Sequence, residues 1–220
     1  MQRSDALEKR IAELLRERVI GHGKREDPFF QILQSPAHAV VREREKDGEA
    51  EVPMAIPDGC TCIQWQLTTG LFQFLREDKN ADGPFFLCYP DGKVEAHIVE
   101  CKKTVGKGAW RGTLAQFHCT LHKLLALAGA LGITIDAVVF YTAFRFDLLT
   151  EPISPNPTPV KRALGPPDDA AHRDLIQRRA WKRDEIPFRG YTGAFRHHKI
   201  PLDPSTGTAT SAFAPPAAPP

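Results

Sequence analysis

Between Val94 and Lys103 the chain reads Val-Glu-Ala-His-Ile-Val-Glu-Cys-Lys-Lys, an apolar strand that takes up charge at its end. Side chains alternate across a strand, so Glu100 and Lys102 project to one face, about 7 Å apart along the backbone. Charged groups are rarely buried without a partner. Their position next to Ile98 and Val99 suggests a metal ion or a phosphate between them; the plainer reading is a strand that frays into solvent.

The preceding residues favour the first reading. Asp82-Gly83-Pro84 reads as a turn, and Phe85-Phe86-Leu87-Cys88-Tyr89 as an aromatic-rich strand. Pro90-Asp91-Gly92-Lys93 supplies a tight reversal, after which Val94 to Lys103 returns antiparallel. Such a hairpin brings Asp82, where the first strand begins, next to Glu100-Cys101-Lys102, where the second ends. Two carboxylates at that point suit Mg²⁺ (or Mn²⁺), with water and a substrate phosphate completing its shell. The lysine can orient or deprotonate a water, or hold transition-state charge.

With Asp82, Glu100 and Lys102 in these positions the sequence resembles the PD-(D/E)XK phosphodiesterase superfamily, the restriction-endonuclease-like nucleases; Ala81 stands where the motif has proline. The resemblance spans roughly residues 70 to 146 and implies a core of helix, three strands, helix and strand. Thr113 to Leu131 fits the second helix, with Leu114, Phe117, Leu121, Leu124, Leu125, Ala128 and Leu131 at helical spacing and Gly132 as its stop. Ile135 to Phe144 fits the following strand. The resemblance also implies a role in the active site for Gln116, in the first turn of that helix, and metal ligation by Asp82, Glu100 and the Cys101 backbone carbonyl. An acidic ligand from the first helix, Glu13 or Glu17, is a further possibility in the family; a solvated helix face explains those residues equally well.

Composition fits a compact α/β protein. No apolar run among the 220 residues approaches the ~20 needed to cross a membrane, and Met1-Gln2-Arg3-Ser4-Asp5 lacks the apolar core of a signal peptide, so a cytoplasmic protein with no membrane partner is expected. Cys60, Cys62, Cys88, Cys101 and Cys119 show no framework spacing and read as reduced, buried thiols. His118 and His122 are four apart on a helix, but without a third ligand they read as structural. The net charge is only +2, yet residues 161 to 199 hold ten Lys or Arg against five acids, with Trp181, Phe188, Tyr191 and Phe195 interleaved. Next to a phosphodiesterase site, a phosphate-binding surface is expected there, at Arg178, Arg179, Lys182 and Arg183. A second such surface is expected at Lys103, Lys107 and Arg111, in a glycine-containing loop from Thr104 to Gly112 that leads into a helix N-terminus.

The expected organisation is an N-terminal helical segment (1–58), a nuclease-like α/β core (59–150), a proline-rich linker and basic extension (151–202) and a disordered tail (203–220). Within it, 5–20 reads as an amphipathic helix and 29–41 as a second helix; 46–57 reads as a polar connection, 60–67 as a strand and 72–76 as a strand or short helical turn. The fold class expected is α/β: a restriction-endonuclease-like core, a central mixed sheet flanked by helices, with a basic C-terminal extension. The function expected is that of a metal-dependent nuclease acting on DNA, RNA remaining open, as a homodimer or part of a larger complex. Family association places many such proteins in phage defence or restriction. The rival expectation is a nucleic-acid-binding or assembly subunit that keeps the fold and does not cut.

Overall fold

The protein is known from a computed structural model that describes residues 30–45, 48–67, 79–150, 178–186, 195–209 and 211–213, with residues 9, 10, 13, 176 and 188. It is an α/β fold built on a mixed seven-stranded sheet. In chain order the elements are β1 Phe30–Gln34, β2 His38–Glu45, β3 Gly48–Ala55, β4 Thr61–Trp65, β5 Gly83–Cys88, β6 Val94–Val105, helix α1 Lys107–Leu131, β7 Ala137–Asp147, β8 Glu185–Ile186, β9 Phe195–Pro201 and β10 Ser211–Ala212. The large sheet runs β1-β4-β5-β6-β7-β9-β8, and a smaller one runs β10-β3-β2.

The strands β4, β5 and β6 form an antiparallel meander; β6 then crosses over through α1 to β7, which lies parallel to it, and β9 lies parallel to β7. Alternation along the strands divides the interior in two. Ala96 and Ile98 of β6, with Phe140 and Phe144 of β7, pack under Phe117, Leu121, Leu124 and Leu127 of α1. The intervening Val99 and Cys101, with Val139, Tyr141 and Ala143, face Ala39, Val41, Val52 and Met54 of the small sheet. A sheet buried on both faces must be apolar on both, and β5 and β6 are buried at nearly every position. At the end of α1, Gly132 takes a left-handed conformation (φ 67°) while Ile133 N–H returns to the Ala128 carbonyl, closing the helix as expected.

Several expectations are corrected. The expected helix at 29–41 is not found in its described residues, 30–41: Phe30–Gln34 and His38–Glu45 are strands with a turn at Ser35–Pro36 between them. Ala39 and Val41 are buried while His38 and Arg42 are exposed, a period of two that a mixed apolar run concealed. The polar connection at 46–57 contains β3, whose Ala50, Val52 and Met54 point inward between exposed or half-exposed Glu49, Glu51 and Pro53. The N-terminal segment 1–58 therefore contributes three strands. The tail is also not simply disordered: β10 pairs in parallel with β3, and Phe213 is buried against Phe85 and His97. Asp203 organises the turn before it by accepting hydrogen bonds from the Ser205 and Thr206 backbone N–H groups (2.9 and 2.8 Å). The expected helix at 5–20 lies mostly outside the described residues, of which 9, 10 and 13 are helical; the segments 72–76 and 151–175 lie outside them as well.

Candidate functional site

The site forms where β5 begins beside β6. The antiparallel register pairs Gly83 with Val99, so one step further places Asp82 next to Glu100. Asp82 is anchored there: its Oδ2 accepts the Cys101 backbone N–H at 2.8 Å. Gly83 permits the approach of the small sheet at this point, since a Cβ on it would lie 2.5 Å from Val41 Cγ2. Two residues beyond Val41 on β2 is Glu43, which acts electrostatically on both Glu100 and Lys102.

Glu100 and Lys102 share the α1 face of β6 with Ala96 and Ile98. The strand runs on to Val105, so the pair lies inside it and not at its fraying end. Glu100 is fully buried and ion-paired through Oε1 with the Lys102 ammonium. Among the described residues no hydrogen-bond donor reaches its other oxygen, Oε2. Burial, and then the charge of Asp82, push its carboxyl well above the ordinary range, and Lys102 only partly offsets this. For Lys102 burial acts downward, but Glu100, Glu43 and Asp82 outweigh it and hold the ammonium above its usual value.

Helix α1 braces the segment that carries Asp82. Gln116 donates to the Asn80 carbonyl (3.1 Å), Thr120 Oγ1 accepts the Ala81 N–H (2.8 Å), and the buried Lys123 donates to the Asn80 side chain. Gln116 lies in the third turn of the helix, since α1 begins at Lys107, and its amide bonds the segment that carries Asp82. Sequence reasoning missed Thr120, Lys123 and Asn80. The signal was present as a polar stripe at Gln116, Thr120 and Lys123, spaced as i, i+4, i+7 on an otherwise apolar face.

The expected loop from Thr104 to Gly112 is also revised. Thr104 and Val105 complete β6, Gly106 caps the helix, and Lys107 to Gly112 are its first turns. No side chain caps this N-terminus and no acid occupies its first turn, while Lys107 and Arg111 are exposed one turn apart. Lys103 is exposed on β6. Arg179, Lys182 and Arg183 are exposed and Arg178 is half-buried; residues 178–182 are helical, fastened by Trp181, which is buried on Trp110 and donates to Asp147 at 3.0 Å.

Among the described residues no group of three or more His, Cys, Asp or Glu side chains is close enough to hold a metal. What exists is a pair, Asp82 and Glu100, with the Cys101 carbonyl on the same strand. Two hard carboxylates, one with an unsatisfied buried oxygen, fit Mg²⁺, which takes one or two protein carboxylates and keeps several waters. His118 and His122 meet edge to face, 4.3 Å between ring centroids, and among the described residues are not part of any such group. Cys60, Cys62, Cys88, Cys101 and Cys119 are free thiols. Among the described residues no helix is long and apolar enough to cross a membrane. The chain matches no family model, no curated protein and no solved structure.

Proposed function

We propose that the protein is a metal-dependent nuclease that hydrolyses phosphodiester bonds of DNA, with RNA as the other substrate to test. The observation that carries this reading is a buried Glu100 carboxylate, half unsatisfied, beside an anchored Asp82 and a lysine two residues on. The order of the surrounding elements supports it: a three-strand meander, a helix and a parallel fourth strand are what a restriction-endonuclease-like core of the PD-(D/E)XK type contains. Asp82, Glu100 and the Cys101 carbonyl would hold Mg²⁺ or Mn²⁺, which when bound would stabilise charge on the phosphoryl oxygens. Lys102 orients a water or holds developing negative charge, and Glu100 keeps its ammonium in place. Gln116 acts through the Asn80 backbone, as a positioning residue for Asp82. Lys103, Lys107 and Arg111 provide phosphate contacts near α1, and Arg178, Arg179, Lys182 and Arg183 provide a second basic surface.

The test is cleavage of single- and double-stranded DNA and RNA across a Mn²⁺ titration, with Glu100→Gln and Lys102→Ala alongside wild type. Cleavage that requires metal and disappears in Glu100→Gln supports the reading; wild-type cleavage surviving in both variants overturns it. A second reading is favoured by the lack of a third metal-ligating side chain among the described residues. It is a nucleic-acid-binding or assembly subunit that does not cut, and metal-independent binding without cleavage would identify it. A role in phage defence or restriction in the cytoplasm, alone or as a homodimer, follows from the nuclease reading and not from the geometry.

A further inference from the structure

Residues 79–82, which lead into β5, belong to no helix or strand. Ala81 is buried, and Asn80 and Asp82 are half-buried, so the backbone there needs partners other than a neighbouring strand. Side chains of α1 supply them. The Asn80 carbonyl accepts from Gln116 Nε2 at 3.1 Å, and the Ala81 N–H donates to Thr120 Oγ1 at 2.8 Å. The Asn80 side-chain oxygen accepts from the Lys123 ammonium. Gln116, Thr120 and Lys123 stand at i, i+4 and i+7, a single stripe of the helix. Bonds from one stripe to two consecutive residues fix both the position and the direction of the chain that follows them, which begins with Asp82.

Lys123 is the informative member of the stripe. It has no exposed surface, and an ammonium taken out of water is costly unless its donors are bonded. Leu124, Leu127 and Leu131 are buried on the same helix, so an apolar residue at 123 would extend that packing without the cost. On the far side of Asp82 the chain is fixed as well. A Cβ at Gly83 would lie 2.5 Å from Val41 Cγ2, and Asp82 Oδ2 accepts the Cys101 N–H at 2.8 Å. Asp82 therefore sits between a residue held by α1 and one held by the small sheet, with its carboxylate tied to the strand that carries Glu100.

We propose that Lys123 and Thr120 are positioning residues that fix the spacing of the Asp82 and Glu100 carboxylates, and that this rigidity selects Mg²⁺ over Ca²⁺. The inference rests on the nuclease reading for the presence of a cation, and adds what decides which cation is taken. Mg²⁺ demands a near-ideal octahedron of oxygens, whereas Ca²⁺ accepts more ligands in a flexible arrangement. Two carboxylates held at one spacing suit the first ion. Two that are free to spread admit the second. Neither Lys123 nor Thr120 needs to touch the metal, because each acts through the segment bonded to it.

The test compares the full-length wild type with Lys123→Met, Thr120→Val and Thr120→Ser. Methionine and valine keep the approximate shape of the residues they replace, while serine keeps the hydroxyl that receives the Ala81 N–H. Two quantities are measured: amide hydrogen exchange at Cys101 without metal, and Mg²⁺ and Ca²⁺ affinity by calorimetry. In Lys123→Met and Thr120→Val, exchange at Cys101 is expected to quicken roughly fivefold or more relative to neighbouring β6 amides, the equivalent of one lost hydrogen bond. Mg²⁺ affinity is expected to fall ~10–100-fold and Ca²⁺ affinity by less than about threefold, with Thr120→Ser close to wild type in both. Phe213→Ala, a loss of packing away from α1, is expected to move neither quantity. Unchanged Cys101 exchange in both variants, an unchanged preference for Mg²⁺ over Ca²⁺, or a Thr120→Ser protein that behaves like Thr120→Val overturns the proposal. If Lys123→Met does not fold, the two Thr120 variants decide. Wild type that binds neither cation overturns the selection of metal together with the metal site. Wild type that binds Mg²⁺ and cleaves no nucleic acid fails the nuclease reading alone.

Discussion

Glu95 and Glu100 are both buried on β6, but on opposite faces of the sheet, and their surroundings differ in kind. Glu95 is satisfied. It accepts from Tyr89 Oη at 3.0 Å, meets His97 Nε2 at 3.1 Å, and has Arg196 Nη2 at 3.9 Å; His97 in turn is bonded to Tyr141 Oη at 2.9 Å. Burial pushes the Glu95 carboxyl up, but these partners outweigh it and hold it below its ordinary value. For Glu100 burial wins, the neighbouring carboxylate Asp82 adds to it, and Oε2 has no hydrogen-bond partner among the described residues. A buried carboxylate surrounded by donors belongs to the architecture. One placed beside a second carboxylate is destabilising in the protein alone, a cost that a bound cation would relieve.

The most decisive way to break this comparison is to neutralise each glutamate in turn. Glu100→Gln is expected to lower cleavage by at least ~10³-fold while the metal-free melting temperature holds or rises by a few degrees. Glu95→Gln weakens the bonds to His97 and Tyr89 and is expected to cost about 2–4 kcal/mol of stability, with cleavage by the folded fraction retained. Equal stability losses in chemical denaturation would make the two glutamates alike and remove the argument for a metal at Glu100.

Phe213→Ala sharpens the comparison from the other side. Phe213 packs on His97 (4.9 Å between rings) and on Phe85 (5.4 Å), so its removal strikes the satisfied cluster and leaves the acidic one in place. The expected cost is about 3–5 kcal/mol, measured by urea denaturation, with little change in metal affinity of the folded protein. A loss within experimental error would place Phe213 outside the core.

The pH dependence of the two clusters should run in opposite directions. The Glu95 carboxyl is lowered on folding, so its stabilisation is present above the unfolded value near ~4.3 and is lost as pH falls through the folded value. The Glu100 carboxyl is raised, so its ionised form destabilises the metal-free protein and protonation relieves that as pH falls through the folded value. Metal needs the ionised form, so Mn²⁺ affinity measured by calorimetry should decline, by up to about tenfold per pH unit, already above the ordinary carboxylate range. Glu43→Gln removes a charge that raises Glu100 and should move that decline to lower pH. A decline centred at an ordinary carboxylate value in both proteins would refute the proposed coupling.

The smallest effect expected is on salt dependence. Replacing Arg178, Arg179, Lys182 and Arg183 by alanine should flatten the slope of log K against log salt for duplex DNA by roughly two to three units, since three of the four are exposed. An unchanged slope would shift the binding surface to Lys103, Lys107 and Arg111.

The β5–β6 hairpin, α1 and β7 were legible because each carries its own local signal: turn residues at 90–93, a helical period ending at Gly132, and a run of β-branched and aromatic residues after it. Glu100 and Lys102 were legible for the same reason, since a strand's alternation fixes which side chains share a face. The sequence by itself therefore determined the hairpin, the crossover helix and the Glu100–Lys102 pair on the face toward it. Only the tertiary structure decided what surrounds them. Glu43, Asn80 and Thr120 meet the site through pairings between distant segments, and β1, β3 and β10 exist as strands because partners far along the chain satisfy their backbones. Short strands have little local preference of their own, so packing and hydrogen bonding to a neighbour decide their state.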